Sequence, residues 1–209
     1  MRLVLASNNA KKLSELRAML SSLPVQLVPQ ADLGIAEAEE PHLTFIENAL
    51  TKARHAAAAA QGPAIADDSG LCVDALGGEP GVISAHYAGA VHAPGLDRES
   101  LRRLQDAANN HLLLDRLAGH AARQAHFLST LVAVRHARDP QPLVAVGRWP
   151  GRILAAPQGD QGFGYDPLMF IPELGCTVAQ MDVGLKNRHS HRASAMAQML
   201  DLLRQVWKL

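Results

Sequence analysis

The stretch Ile65-Ala66-Asp67-Asp68-Ser69-Gly70 places two adjacent carboxylates and a hydroxyl inside an otherwise apolar run. Side-by-side carboxylates repel one another and lose hydration when buried, so the pair asks for a counter-charge, most simply a divalent metal. A hard cation such as Mg²⁺ takes oxygen ligands, keeps several waters and is usually held together with substrate phosphates. The same residues also suit a cap at Asp67 and a tight turn through Asp68-Ser69-Gly70. Glu39 and Glu40, in the acidic loop Glu37-Ala38-Glu39-Glu40-Pro41, are the other closely spaced acids suited to give a metal a second carboxylate. They read equally as solvated acids approaching a helix.

Cations and aromatics form the second group of reactive residue types. Ser7-Asn8-Asn9-Ala10-Lys11-Lys12 enters a helix whose free amides and lysines make an anion site at the positive end of the dipole. Lysines in a first turn oppose that dipole, so a bound polyphosphate would account for them; otherwise they are solvated surface lysines. No G-x-x-x-x-G-K-[ST] sequence occurs, which excludes the usual P-loop. Lys52, on the polar side of a later helix, could point at a ligand. Gly159-Asp160-Gln161-Gly162-Phe163-Gly164-Tyr165-Asp166-Pro167 sets two aromatics among glycines, a pattern that can stack a planar base or close a hairpin over core aromatics. Lys186, Arg188, His189, His191 and Arg192 crowd the start of the last helix, at the wrong end of its dipole, which favours an anionic or carbonyl-rich ligand.

These residues need elements to position them. Leu3 to Ala6 reads as a buried strand, and Leu13, Leu16, Leu20 and Leu23 follow at helical spacing. After a second strand, Val25 to Val28, a helix starts at Thr44, where Thr44 and Glu47 form a capping box. Ile46, Ala49, Leu50, Ala53 and Ala57 make its core stripe, with Glu47, Asn48, Thr51, Lys52 and His55 on the other side. Pro63 to Ala66 reads as a strand with the two acids at its mouth, and Leu71 to Val73 resumes the apolar character. Asp97 to Ala107 reads as a helix, Leu112 to Leu117 as a short helical or loop segment, and Ser84 to His92 has no clear class. Two strands, Ala125 to Arg135 and Leu143 to Trp149, alternate so weakly that both read as buried on two faces. The last helix begins near Ser190.

At 209 residues the chain suits a single bilobed domain spanning 1–209. Twenty Lys and Arg balance twenty Asp and Glu, so no basic field argues for nucleic acid and any phosphate must be met locally. Cys72 and Cys176 form no Cys-x-x-Cys motif and read as buried small hydrophobes. No apolar stretch approaches membrane-spanning length and the start is too short for a signal peptide, so a cytoplasmic protein is expected.

Taken together, S-N-N-A-K-K, T-F-I-E-N-A-L-T-K-A-R, I-A-D-D-S-G-L, G-F-G-Y-D-P and S-H-R resemble, in order and spacing, the inosine/xanthosine triphosphate pyrophosphatase family over essentially the whole chain. The resemblance implies an α/β fold with a long central mixed sheet flanked by helices, a homodimer, Mg²⁺ dependence, and hydrolysis of deaminated purine triphosphates to monophosphate and pyrophosphate. It makes Ser7, Asn8, Asn9, Ala10, Lys11 and Lys12 the triphosphate loop, with Lys12 catalytic, and Asp68 the general base and a metal ligand. Glu39 or Glu40 would be the second metal-binding acid, and Ser69 would lie beside the substrate. Phe163, Gly164, Tyr165 and Asp166 would hold base and sugar, while Lys186, His191 and Arg192 would contact the purine. Two departures stand out: Ser7-Asn8-Asn9 replaces the family's usual Thr-Gly-Asn, and Gly184-Leu185 precede Lys186 where glutamates are common. Two other readings compete, a pyrophosphatase for other modified nucleotides and a nucleotide-binding module that does not hydrolyse.

Overall fold

In the computed structural model, which describes residues 1–21 and 23–209 and the side chains of all of these except Ala10 and Lys11, strands and helices alternate along the chain. The strands are β1 (Arg2–Leu5), β2 (Gln26–Pro29), β3 (Ala64–Val73), β4 (Gln124–Val134), β5 (Leu143–Ile153), β6 (Met169–Ile171) and β7 (Cys176–Thr177). The helices are α1 (Ala10–Leu20), α2 (Phe45–Ala60), α3 (Arg98–Arg116), α4 (Val183–His189) and α5 (His191–Val206). The strands hydrogen-bond in the order β2-β1-β3-β4-β5-β6-β7. β1 runs parallel to β2 and β3, with Val4 opposite Val28 and Ala64, whereas β6 is antiparallel to β5 and β7. The sheet is therefore mixed and the fold α/β, as expected.

The chain divides into two compact units, Met1–Ser69 with Ser129–Arg148 and Ser190–Leu209, and Gly70–Leu128 with Trp149–His189. In the first, side chains alternate between two apolar clusters. Leu3, Leu5, Ile65 and Leu131 pack with Leu16, Leu20, Met196, Met199 and Leu203 of α1 and α5. Val4, Ala64, Ala66, Val132 and Val134 pack with Ala49, Ala53, Ala56 and Ala57 of α2. Because successive strand residues face opposite ways, these strands are apolar throughout and covered on both faces. In the second unit, Leu71, Val73 and Phe127 pack with Leu113, Leu117, Trp149, Tyr165, Leu168 and Met169.

Several expectations change. β3 is one continuous strand, so Asp67 and Asp68 lie in its middle rather than at its mouth, held there by side-chain partners described below. β5 is not buried on two faces: from Ala145 to Arg152 burial alternates, with Val146, Arg148, Pro150 and Arg152 exposed. α3 runs unbroken through Leu112 to Arg116, because Leu113 joins the core of its unit. On α2, Ile46 is exposed while Asn48 and Lys52 are buried, since both find polar partners in the interior. Cys72 and Cys176 are not in a disulfide and are only half-buried.

Candidate active site

Strand geometry sends adjacent residues to opposite faces, so Asp67 and Asp68 meet different partners. Asp67, 1% exposed, pairs with the Lys12 ammonium at 2.8 Å. It also accepts from the Ser129 hydroxyl at 2.7 Å, the Ser69 hydroxyl at 3.0 Å and Arg192 Nε at 3.3 Å. Burial pushes its pKa up, but Lys12 and Arg192 outweigh that and hold the carboxyl far below the usual carboxylate range. Asp68 accepts from the Lys52 ammonium at 2.8 Å, which also donates to Glu40 at 2.9 Å. Burial raises Asp68 to about 6 against the pull of Lys52, and the Glu40 carboxylate pushes the same way. For Lys52 burial opposes the charge, yet the two carboxylates keep its pKa above the ordinary value; for Glu40 burial is overcome by Lys52, leaving it lowered.

Asp68 Oδ2 is buried and receives no donor. An orphaned carboxylate oxygen beside a second acid fits a hard cation. Among the described residues no group of three or more His, Cys, Asp or Glu gathers as a metal cage. Two carboxylates completed by water and substrate phosphates are how Mg²⁺ is usually held, so the donor set fits that ion. Glu40, not Glu39, is the acid brought to Asp68, through Lys52.

The loop carrying Glu40 is strapped along α2. Thr44 caps the helix, accepting from the Glu47 N–H at 3.3 Å while its hydroxyl donates to the Glu47 carboxylate at 2.6 Å. Asn48 accepts from the His42 N–H at 3.0 Å and donates to the His42 carbonyl at 3.2 Å. One turn on, Thr51 bonds the His42 ring and Lys52 bonds Glu40, and a further turn on, the His55 ring donates to the Ala36 carbonyl.

The turn into α1 builds a second wall. Asn9 is its cap: the Lys12 N–H donates to Asn9 Oδ1 at 3.3 Å, and the Asn9 N–H donates to the Ser7 hydroxyl at 3.2 Å. A cavity of about 110 Å³ is lined by Ser7, Asn9, Lys12, Glu40, Lys52 and Asp67 among others. Asn8 Oδ1 is buried without a donor. The side chains of Ala10 and Lys11, expected in the phosphate loop, lie outside the described residues.

Arg192 changes its expected role. Its guanidinium, 2% exposed, donates to Asp67 and to Ser69 Oγ at 3.2 Å and pairs with Glu15 of α1. The carboxylates next to this first-turn cation are thus supplied by the protein, and its Nε, Nη1 and Nη2 donate to Asp67, Glu15 and Ser69 respectively. Burial opposes its charge, but Asp67 and Glu15 raise its pKa. Ser190 caps α5, accepting from the Ala193 N–H at 3.1 Å, and His191 is buried beside it.

In the second unit the glycine-rich loop is a hub. Asp166 accepts from Lys186 at 2.6 Å and from the Phe163 N–H at 2.9 Å. Gly162 has φ +78°, and any β-carbon there would strike the Asp166 carboxylate. The Phe163 ring lies 4.6 Å from the Lys186 ammonium, centroid to nitrogen. Tyr165, expected to stack on a base, is a core residue at 4% exposure whose hydroxyl donates to the Ser84 carbonyl at 2.9 Å. Lys186 stands on α4, which the sequence did not disclose; Asp182 accepts from the Leu185 N–H at 2.8 Å at its start. Asp166 thus anchors Lys186.

Sequence reasoning missed Asp67 as an ion-pair centre, together with Glu15 and Ser129. A signal existed for two of them: Glu15 follows Lys12 by one helical turn, and Ser129 interrupts an apolar strand.

The Ham1 family model matches residues 3–202 of the chain. A dITP/XTP pyrophosphatase of Methylibium petroleiphilum is 68% identical over 207 residues, covering 99% of both chains. One of Leptothrix cholodnii is 65% identical, covering all of both. Among solved structures, a HAM1 protein from Coxiella burnetii has a TM-score of 0.88 at 38% identity, covering 99% of this chain and 100% of that one. The Staphylococcus aureus Ham1 protein has a TM-score of 0.82 at 33% identity, covering 97% and 98% respectively.

Proposed function

The chain belongs to the Ham1 family, and on that premise we propose that it hydrolyses the deaminated purine nucleoside triphosphates ITP, dITP and XTP to the monophosphate and pyrophosphate. The observation that carries this reading is the end-to-end identity with two dITP/XTP pyrophosphatases. The enzyme is a nucleoside triphosphate pyrophosphatase, and its role is to remove such nucleotides from the precursor pool. Paired acids have no task in a module that merely binds nucleotides.

Asp68 is the general base. Without metal, burial raises its pKa to about 6, nearer to neutrality than an ordinary carboxylate. Lys52 holds its other oxygen in place. Lys12, whose ammonium has three donors, neutralises phosphate oxygens while anchored on Asp67. Glu40 and Asp68 would hold Mg²⁺, which when bound supplies Lewis-acid charge at the phosphate oxygens. Ser7 and Asn9 line the cavity with these lysines and suit the triphosphate, with Asn8 and Ser69 beside them. Positioning and electrostatics supply most of the catalysis.

The Phe163–Asp166 loop takes base and sugar, with Phe163 as its aromatic face. Lys186 and His191 contact the purine, and Arg192 fixes Asp67 and Ser69. Donors at the 6-position donate to an oxo group and leave adenine's amino group unpaired, a mismatch that sites of this kind reject by about 10⁴-fold. The reading includes a homodimer working in the cytoplasm. No helix among the described residues is long and apolar enough to cross a membrane.

A screen of nucleoside triphosphates with pyrophosphate detection tests the proposal. ITP, dITP and XTP should release pyrophosphate with kcat/KM far above that for ATP or GTP. Comparable values for GTP and ITP would reject the base selectivity, and preferred turnover of a pyrimidine nucleotide would replace the substrate class.

A further inference from the structure

Helix α3 meets the aromatic loop through a stripe of residues one turn apart, Arg102, Asp106 and Asn110, which the i, i+4, i+8 spacing puts on one face. Each grips the loop at a different point. The Arg102 guanidinium stands 5.7 Å from the centroid of the Phe163 ring. The Asp106 carboxylate accepts from the Gly164 N–H at 2.8 Å, and the Asn110 amide donates to the Gly164 carbonyl at 2.9 Å. Gly164 has φ +62°, in the left-handed region, so the chain turns at the residue whose N–H and C=O are both held.

We infer that Arg102, Asp106 and Asn110 are positioning residues for nucleobase recognition: they hold loop 162–166 in the form that presents Phe163 to the base. The inference rests on the reading that this loop takes the base. A second observation separates positioning from plain stability. Asn110 Oδ1 is buried and receives no donor. A buried acceptor without a partner is unfavourable, and an apolar residue of similar size would avoid that penalty. What the amide supplies in return is its bond to Gly164.

The test compares Asp106→Ala, Asp106→Asn and Asn110→Leu with the parent enzyme, using Phe163→Ala as a benchmark. Four quantities are read: KM and kcat for ITP, the inhibition constant of inorganic pyrophosphate, and the melting temperature. Asp106→Ala and Asn110→Leu should raise KM about tenfold with kcat changed by less than about threefold, as expected when one binding hydrogen bond is lost. Asp106→Asn keeps an oxygen that accepts from Gly164 and should restore KM to near the parent value. The pyrophosphate constant should stay unchanged, because that probe has no base, and Asn110→Leu, which trades one unpaired acceptor for another at Gly164, should melt within about 4 °C of the parent. If Phe163→Ala raises KM while Asp106→Ala and Asn110→Leu do not, the positioning role is wrong. A matching rise in the pyrophosphate constant also overturns it. If Phe163→Ala itself leaves KM unchanged, it is the assignment of the loop to the base that fails.

Discussion

Neighbouring residues on a strand face opposite ways, and this gives the adjacent carboxylates of Asp67 and Asp68 different partners. Asp67 receives four donors and stays ionised; Asp68 has one cation, one acid neighbour and one oxygen without a donor. Asp68→Asn keeps the shape but removes the base and one charge, so turnover should fall about 10²- to 10⁴-fold while ITP binding remains measurable by calorimetry. Retention of more than about a tenth of the activity would remove Asp68 from that role. The same variant has a signature in stability. The folded chain keeps a proton on Asp68 up to about pH 6, whereas the unfolded chain releases it near its ordinary value of 3.8. Native Asp68 therefore binds more protons across that window, and its stabilising contribution, complete below it, is lost as pH rises through about 6. Urea titrations of metal-free protein should show parent stability declining relative to Asp68→Asn between those limits; parallel profiles would contradict the raised pKa.

Elements fix the site through backbone approach as much as through side chains. β5 and α5 come so close at Gly147 that an added β-carbon would strike the His191 carbonyl oxygen and lie 2.5 Å from the Ala195 nitrogen. Backbone cannot swing aside as a side-chain tip can, so Gly147→Ala must shift the first turn of α5, which carries His191 and Arg192. Overpacking of this kind costs about 3 kcal/mol or more, which in a chain of this size lowers the melting temperature by roughly 6–12 °C. Calorimetry reads the shift, and a variant melting within about 2 °C of the parent would mean that α5 yields without strain. The straps of α2 on the Glu40 loop and of α3 on the Phe163 loop follow the same logic: a helix, rigid along its length, holds a segment that has no regular hydrogen bonding of its own.

For the whole molecule the question is which phosphorus is attacked. Lys12 and Glu40 line one cavity, with Asp68 tied to Glu40 through Lys52, so a leaving pyrophosphate held there as a unit would favour attack at the α-phosphorus. Hydrolysis of ITP in ¹⁸O-water should place the label in the monophosphate. Label in pyrophosphate would show attack at the β-phosphorus, and label in orthophosphate a stepwise removal of single phosphates.

The order of motifs, the cap at Thr44, the start of α5 at Ser190, the apolar strand β1, the first residues of β3 and the family itself were legible from residue order, because caps and periodicities link residues no more than a few positions apart. Charge partners were not. Lys52 and Asp68 are 16 residues apart and Glu15 and Arg192 are 177, and nothing local says that such groups meet. So the sequence pointed Arg192 at a purine, left Glu39 and Glu40 equal and made Tyr165 a stacking ring, whereas the packed chain gives Arg192 to Asp67, brings Glu40 to Lys52 and buries Tyr165 against Ser84. Local rules determine which elements form; burial and charge pairing, which exist only once those elements are packed, decide which of their residues face the chemistry.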